Sequence, residues 1–156
     1  MKELVIISGK GGTGKTSLTA AFANLAKNMV LCDADVDAAD LHLLMAPENI
    51  ERHDFQGGNQ AVINRDKCIE CGLCRELCNW KAIDADYKVS PIDCEGCGVC
   101  VYFCPEKAIE FPVKTCGEWY ISSTRFGSMV HARLGIAEEN SGRLVSLVRQ
   151  QTKRLA

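Results

Sequence analysis

Apolar positions along the chain fall into runs and stripes that predict most of its elements. Leu4-Val5-Ile6-Ile7 is a short, β-branched run closed by Ser8-Gly9, the pattern of a fully buried strand. After a glycine-rich loop, Leu18, Phe22 and Leu25 share one face of a predicted helix. Met29-Val30-Leu31-Cys32 reads as a second strand, in which Cys32 packs as a small apolar residue, and Ala39 to Met45 as a short second helix. Residues 1–60 therefore read strand–helix–strand–helix, and Glu48 to Gly58, after Pro47 and ending in Gly57-Gly58, is expected to be a polar linker. Further on, Trp119 to Ser122 and Met129 to Leu134 predict strands or a hairpin around Arg125-Phe126-Gly127. Gly142 to Leu155 carries Leu144, Val145, Leu147, Val148 and Leu155 on a helical stripe. Ser141 or Asn140 supplies its cap, and Arg149, Lys153 and Arg154 complement the dipole at its carboxyl end.

Between these stretches, at about 61–112, cysteine sets the pattern. Eight of the ten cysteines form two copies of one spacing, Cys68-x2-Cys71-x2-Cys74-x3-Cys78 and Cys94-x2-Cys97-x2-Cys100-x3-Cys104-Pro105, offset by 26 residues. The match extends to Lys81-Ala82-Ile83-Asp84 and Lys107-Ala108-Ile109-Glu110, so a half-domain is duplicated. This is the spacing of bacterial two-cluster ferredoxins, in which the fourth cysteine of each run ligates the other cluster. One 4Fe–4S cluster is accordingly assigned to Cys68, Cys71, Cys74 and Cys104, and the second to Cys94, Cys97, Cys100 and Cys78. Gly72, Gly96 and Gly98 lie inside the ligand loops, where positive φ is expected. Ile69, Ile83, Ile92 and Ile109 are expected to wrap the cubes in apolar surface.

Other uses of these thiols fit less well. Zinc would take separated C-x2-C pairs or cysteine–histidine mixtures, leaving the third and fourth cysteines of each run without a place. Disulfides need an oxidising compartment, and the run at Leu4 is too short for the apolar core of a signal peptide, so a cytoplasmic location is expected. The two runs differ at one point, because Asn79 follows Cys78 where Pro105 follows Cys104. Cys116 falls outside the repeat and reads as a structural thiol, and the scattered His42, His53 and His131 are given no ligand role.

The amino-terminal loop, Gly9-Lys10-Gly11-Gly12-Thr13-Gly14-Lys15-Thr16-Ser17, satisfies G-x-x-x-x-G-K-S/T between a predicted strand and a predicted helix. Its glycines let backbone N–H groups turn around phosphates, and the helix amino terminus adds its positive end. Lys15 is expected to reach the β- and γ-phosphates and the Thr16 hydroxyl to hold Mg2+. Lys10 places a second cation beside the cradle, where transition-state charge can be stabilised. Asp33-Ala34-Asp35 ends the second strand, where carboxylates of an open α/β sheet point into the nucleotide crevice.

The run Lys10-Gly11-Gly12-Thr13-Gly14-Lys15-Thr16 resembles the deviant Walker A motif of the MinD/ParA/Mrp and nitrogenase iron-protein superfamily. The resemblance implies that Lys10 reaches the partner's phosphates in an ATP-dependent homodimer. It also implies that Asp35 sits near Mg2+ and the attacking water, so that Lys10, Lys15 and Asp35 form the catalytic set. With the cysteine module and the Gly117-Glu118-Trp119-Tyr120 and Glu139-Asn140-Ser141-Gly142 stretches, the chain resembles a group within that superfamily: P-loop ATPases carrying an inserted ferredoxin domain. The implied fold class is α/β, a parallel-sheet P-loop domain at 1–60 and 113–156 interrupted by an α+β two-cluster insert at 61–112. Members of that group are longer and continue into a switch II strand, so the chain is expected to be truncated at its carboxyl end.

Composition narrows the function further. The formal net charge of −2 offers no basic field for nucleic acid, and no apolar run approaches membrane-spanning length. Residues 66–110 hold nine acidic against five basic side chains, enough to steer toward a basic partner or simply to form a solvated surface. The expected function is that of an ATP-binding, ATP-hydrolysing protein in which nucleotide state gates electron transfer from two 4Fe–4S clusters to an acceptor protein. Two alternatives stand beside it, an Mrp-type carrier that delivers clusters to an iron–sulfur acceptor and a non-enzymatic, ATP-sensing regulator.

Overall fold

The computed structural model describes residues 2–135 and 141–156. Residues 2–55, 117–135 and 141–156 form one compact unit, and Gln56–Cys116 forms another, wider at both ends than the 61–112 expected from the cysteine pattern.

The first unit is built around a sheet of order β1-β6-β5-β2, with β1 at Met29–Cys32, β2 at Glu48–Asn59, β5 at Val113–Thr124 and β6 at Gly127–Leu134. The unit boundaries fall inside β2 and β5. β1 and β6 are parallel, with Leu31 opposite Met129, whereas β5 and β6 form an antiparallel hairpin with Tyr120 opposite His131. The sheet is thus mixed, a correction to the parallel sheet expected. Gly127 explains the hairpin. Its φ is 138°, and a Cβ there would lie 2.5 Å from the Met29 carbonyl oxygen, so only glycine lets β6 approach β1. Thr124 Oγ1 closes the turn by donating to the Gly127 carbonyl at 2.8 Å.

Both faces of β6 are covered, since the adjacent Met129 and Val130 point to opposite sides and neither is exposed. One side holds a core of Ala23, Leu31, Leu41, Met45 and Met129, from β1, β6, α1 (Lys15–Leu25) and α2 (Leu41–Met45). On β1 and β6 also packs α5 (Ser141–Leu155), which buries Leu144 and Val148 of its stripe completely, whereas Leu155 at its last position is exposed. Its expected cap, Asn140 or the Ser141 side chain, lies outside the described residues.

Three expectations are corrected here. Leu4–Ile7 pairs with no strand among the described residues, and Leu4, Val5 and Ile7 are exposed, because an apolar run becomes a strand only when a neighbour takes its backbone groups. Helix α1 forms, but Leu18, Phe22 and Leu25 face solvent while Ala20 and Ala23 pack on the core. Glu48–Asn59 is a strand instead of a linker, with Phe55 and Gly57 buried among polar neighbours.

The second unit follows the repeat. Helix α3 (Leu73–Leu77) and helix α4 (Val99–Phe103) are 26 residues apart. The ladder between β3 (Val62–Ile63) and β4 (Ile109–Glu110) pairs Ile63 with Ile109, and its repeat mate is the bridge between Val89 and Ile83. Hydrogen bonds recur at the same offset: Asn64 N–H donates to Ala108 O (2.8 Å) and Ser90 N–H to Ala82 O (2.7 Å). Positive φ also recurs, at Glu70 and Gly96, Gly72 and Gly98, and Lys81 and Lys107. Cys78 and Cys104 share extended backbone (ψ 101° and 114°), so Asn79 reproduces the turn that Pro105 makes in the other half.

Candidate functional site

Two sites emerge, one in each unit. In the first unit Gly9, Lys10, Gly11, Gly12, Thr13 and Gly14 are exposed, Lys15 and Thr16 half-buried, and Ser17 exposed on the first turn of α1. Ser8 Oγ and Thr13 Oγ1 both donate to the Lys10 carbonyl, at 3.0 and 3.2 Å, and tie the loop across itself. Gly12 and Gly14 have φ of 75° and 85°, which turns the loop into the helix amino terminus. The Lys15 ammonium lies 3.6 Å from Asp35 Oδ2, so the structure brings the loop lysine to the carboxylate from the end of β1. Asp33 is buried; its Oδ1 accepts from the Asp35 N–H at 3.2 Å, and its Oδ2 has no hydrogen-bond partner among the described residues. Burial pushes the Asp33 carboxyl above the usual carboxylate range. A cation beside lysine-bound phosphate would satisfy that oxygen and reverse the shift.

The second unit sorts the eight repeat cysteines into two quartets. Cys68, Cys71, Cys74 and Cys104 line one concavity of about 350 Å³, together with Ile63, Ile69, Leu73, Tyr87 and Ile109. Cys78, Cys94, Cys97 and Cys100 line another of about 320 Å³ with Trp80, Ile83, Val89 and Phe111. Each quartet takes three thiols from one half of the repeat and the fourth from the other. Cys78 Sγ accepts the Ala82 N–H at 3.4 Å, and Cys104 Sγ accepts the Ala108 N–H at 3.3 Å. Burial pushes the Cys74 and Cys100 thiols up, and the neighbouring cysteines of each quartet add to the shift. Such a set of thiols loses its protons to a bound cation and resists ionising without one.

Some lining residues differ from expectation. Ile69, Ile83 and Ile109 line the cavities, but Ile92 is exposed and lines neither. Its repeat mate is Asp66, a polar position that already places it outside the cavity-facing set. Tyr87, Trp80 and Phe111 were not singled out in the sequence, and periodicity carried no signal for them. Gly96 is compelled twice: φ is 59°, and a Cβ would meet Asn59 O at 2.3 Å. Among the described residues no group of three or more His, Cys, Asp or Glu side chains is close enough to hold a single metal ion.

Other polar groups have structural roles. Ser122 Oγ donates to Asn49 Oδ1 at 2.8 Å and contacts the buried His131 Nε2 at 2.9 Å, joining β2, β5 and β6. His53 stacks on Trp119 with ring centroids 4.1 Å apart. Cys116 is buried and its thiol lies 3.6 Å from the Lys114 carbonyl, and Cys32 is half-buried in β1. No helix among the described residues is long and apolar enough to cross a membrane.

The chain is 39% identical over 155 residues to an uncharacterized protein of Methanocaldococcus jannaschii, covering 97% of this chain and 55% of that one. It is 49% identical over 49 residues to the septum site-determining protein MinD of a Synechocystis species, covering 29% of this chain and 18% of MinD. An uncharacterized ATP-binding protein of Methanocaldococcus jannaschii is 45% identical over 49 residues, 29% of this chain and 19% of that protein. The chain thus spans about half the length of the first of these relatives and a smaller share of the others. No solved structure matches it. The pattern of the CobQ/CobB/MinD/ParA nucleotide binding domain matches residues 4–155, nearly the whole chain, and the chain belongs to that family.

Proposed function

We propose that this chain is an ATP-binding, ATP-hydrolysing iron–sulfur protein in which nucleotide state gates electron transfer from two 4Fe–4S clusters to a partner protein. The observation that carries the reading is the crossed sorting of the repeat cysteines into two quartets, each around its own apolar concavity. Four thiolates on one zinc ion, bonded at about 2.3 Å, stand within about 4 Å of each other. The repeat's runs of three cysteines two apart with a fourth three further on leave the third and fourth thiols without a place on such an ion and match two-cluster ferredoxins. Cys68, Cys71, Cys74 and Cys104 would hold one cluster, and Cys94, Cys97, Cys100 and Cys78 the other. When bound, the clusters supply one-electron redox chemistry. The protein's part is to exclude water with Ile63, Ile83, Ile109 and Phe111, and to tune the sulfurs through the Ala82 and Ala108 N–H groups. Gln56–Cys116, wider than the 61–112 marked by the cysteines, then functions as an inserted ferredoxin-like domain.

In the nucleotide-binding unit, the Gly9–Gly14 backbone cradles phosphate, with Thr13 and Ser17 beside it, and Lys15 neutralises the terminal phosphates. Thr16 and Asp35 hold Mg2+, and Asp35 orients the attacking water. Lys10 is exposed, as a residue that reaches the phosphates of a second copy must be. Eight thiols complete two coordination shells, which favours retention of the clusters and electron transfer over delivery. The test is reduction of a candidate acceptor protein by anaerobically reconstituted protein, with and without MgATP. Gated transfer predicts MgATP-dependent reduction that Lys15→Ala abolishes without changing iron content. Nucleotide-independent reduction would refute the gate, and iron appearing in an apo-acceptor would favour a carrier.

A further inference from the structure

The repeat maps each residue of one half onto a residue 26 positions away, so a charge present in one half only distinguishes the two cavities. The first cavity has such a feature. Tyr87 forms part of its wall, and the tyrosine hydroxyl donates to the Glu70 carbonyl at 2.6 Å. Over the same ring lie the guanidinium carbons of Arg65 and Arg75, 5.5 and 5.7 Å from its centroid. Arg65 is paired with Glu70 at 2.6 Å and donates to the Asp86 carbonyl at 3.1 Å. Arg75 makes no ion pair among the described residues.

The second half of the repeat does not carry these residues. The repeat mates of Arg65, Arg75, Tyr87 and Glu70 are Pro91, Val101, Val113 and Gly96. Glu70 offsets Arg65 through their ion pair and, among the described residues, leaves Arg75 as the uncompensated cation, while the cavity linings themselves carry one glutamate each, Glu106 at the first and Glu95 at the second. Two cations behind one aromatic ring are therefore what the repeat fails to duplicate.

We propose that Arg65 and Arg75, held over Tyr87, make the Cys68/Cys71/Cys74/Cys104 site the electron sink of the pair. The inference rests on the two-cluster reading above. Adding an electron to a 4Fe–4S cube adds one negative charge, which a neighbouring cation stabilises. With one electron in the pair, the electron passes from the second site, whose cube is oxidised from the 1+ to the 2+ core, to the first, whose cube is reduced from 2+ to 1+. No proton moves and no bond breaks; the electron enters from an external one-electron reductant. Both arginines are solvent-exposed, so water screens them, and an occupancy ratio of about tenfold, equivalent to ~59 mV for one electron, is expected.

The test is an anaerobic dithionite titration of the full chain, followed by electron paramagnetic resonance. Signals are assigned with Cys71→Ser for the first site and Cys97→Ser for the second. The first site should reduce ahead of the second by about 59 mV, the one-electron equivalent of tenfold. Arg75→Gln should narrow the gap, Arg65→Gln/Arg75→Gln should close it by lowering the first potential alone, and Arg75→Lys should keep most of it. Iron content is measured on each variant; if the double variant loses iron, the single Arg75→Gln decides. Equal potentials, the reverse order, or a gap that survives Arg75→Gln unchanged would overturn the inference and leave the two-cluster reading intact. Absence of clusters from the unmodified chain would overturn both.

Discussion

His131 gives the first unit a pH dependence whose size follows from its surroundings. The ring is 7% exposed in β6 and stacks on Tyr120. Because the Ser122 hydroxyl spends its proton on Asn49 Oδ1, its oxygen accepts from His131 Nε2–H, which fixes the neutral tautomer. Burial, with a smaller contribution from His42, lowers the pKa from 6.5 to about 4. The unfolded chain then takes up a proton near its ordinary pKa while the folded chain does not. Stability is fully present above that value and is lost as pH falls toward the folded one. Between about pH 7.5 and about pH 5 the loss is about 2 kcal/mol. Asp33 works in the opposite direction, since its carboxyl is raised, so the wild-type slope alone is ambiguous. The comparison with His131→Gln removes that ambiguity. Urea unfolding followed through Trp119, in a Trp80→Phe background, should show wild-type stability falling more than the variant's by about 2 kcal/mol over that range. Equal slopes for the two proteins would refute the reasoning.

Further predictions concern the cysteine quartets and the packing. Cys104→Ser should leave about four irons per chain and the same residual spectrum as Cys68→Ser, whereas Cys78→Ser should match Cys94→Ser. Identical spectra for Cys104→Ser and Cys94→Ser would contradict the crossed quartets. Gly96→Ala should destabilise by about 2–4 kcal/mol in urea unfolding, from left-handed strain plus the contact with the Asn59 carbonyl, while Glu70→Ala at the repeat mate should be mild. Leu144→Ala should cost about 2–5 kcal/mol in the same measurement, because the side chain is fully buried and its removal leaves a cavity.

What was legible in the sequence was local chemistry. Ligand spacing assigns the eight cysteines to two sets of four, and each set lines one concavity of the structure. The hairpin was readable because Arg125-Phe126-Gly127 interrupts two β-rich runs, although the reason for Gly127 lies in Met29, far away in sequence. Pairing was not legible. Leu4–Ile7 has the composition of a buried strand but no pairing neighbour among the described residues, while Glu48–Asn59 looks like a linker and becomes a strand because the sheet accepts its backbone. Helix α1 shows a related failure. Hydrophobicity singles out Leu18 and Phe22, yet the small Ala20 and Ala23 let the helix approach the sheet core. Arg65, Arg75 and Tyr87 stand at positions where the two halves of the repeat differ, but the sequence reading singled out none of them, and the structure is what brings both arginines onto one ring.

The measurement that bears most directly on the central claim is a metal and sulfide count on protein purified without oxygen. Two cubes predict about eight irons and about eight acid-labile sulfides per chain, with a brown colour that dithionite bleaches. Colourless protein, or protein carrying zinc in place of iron, would contradict the account.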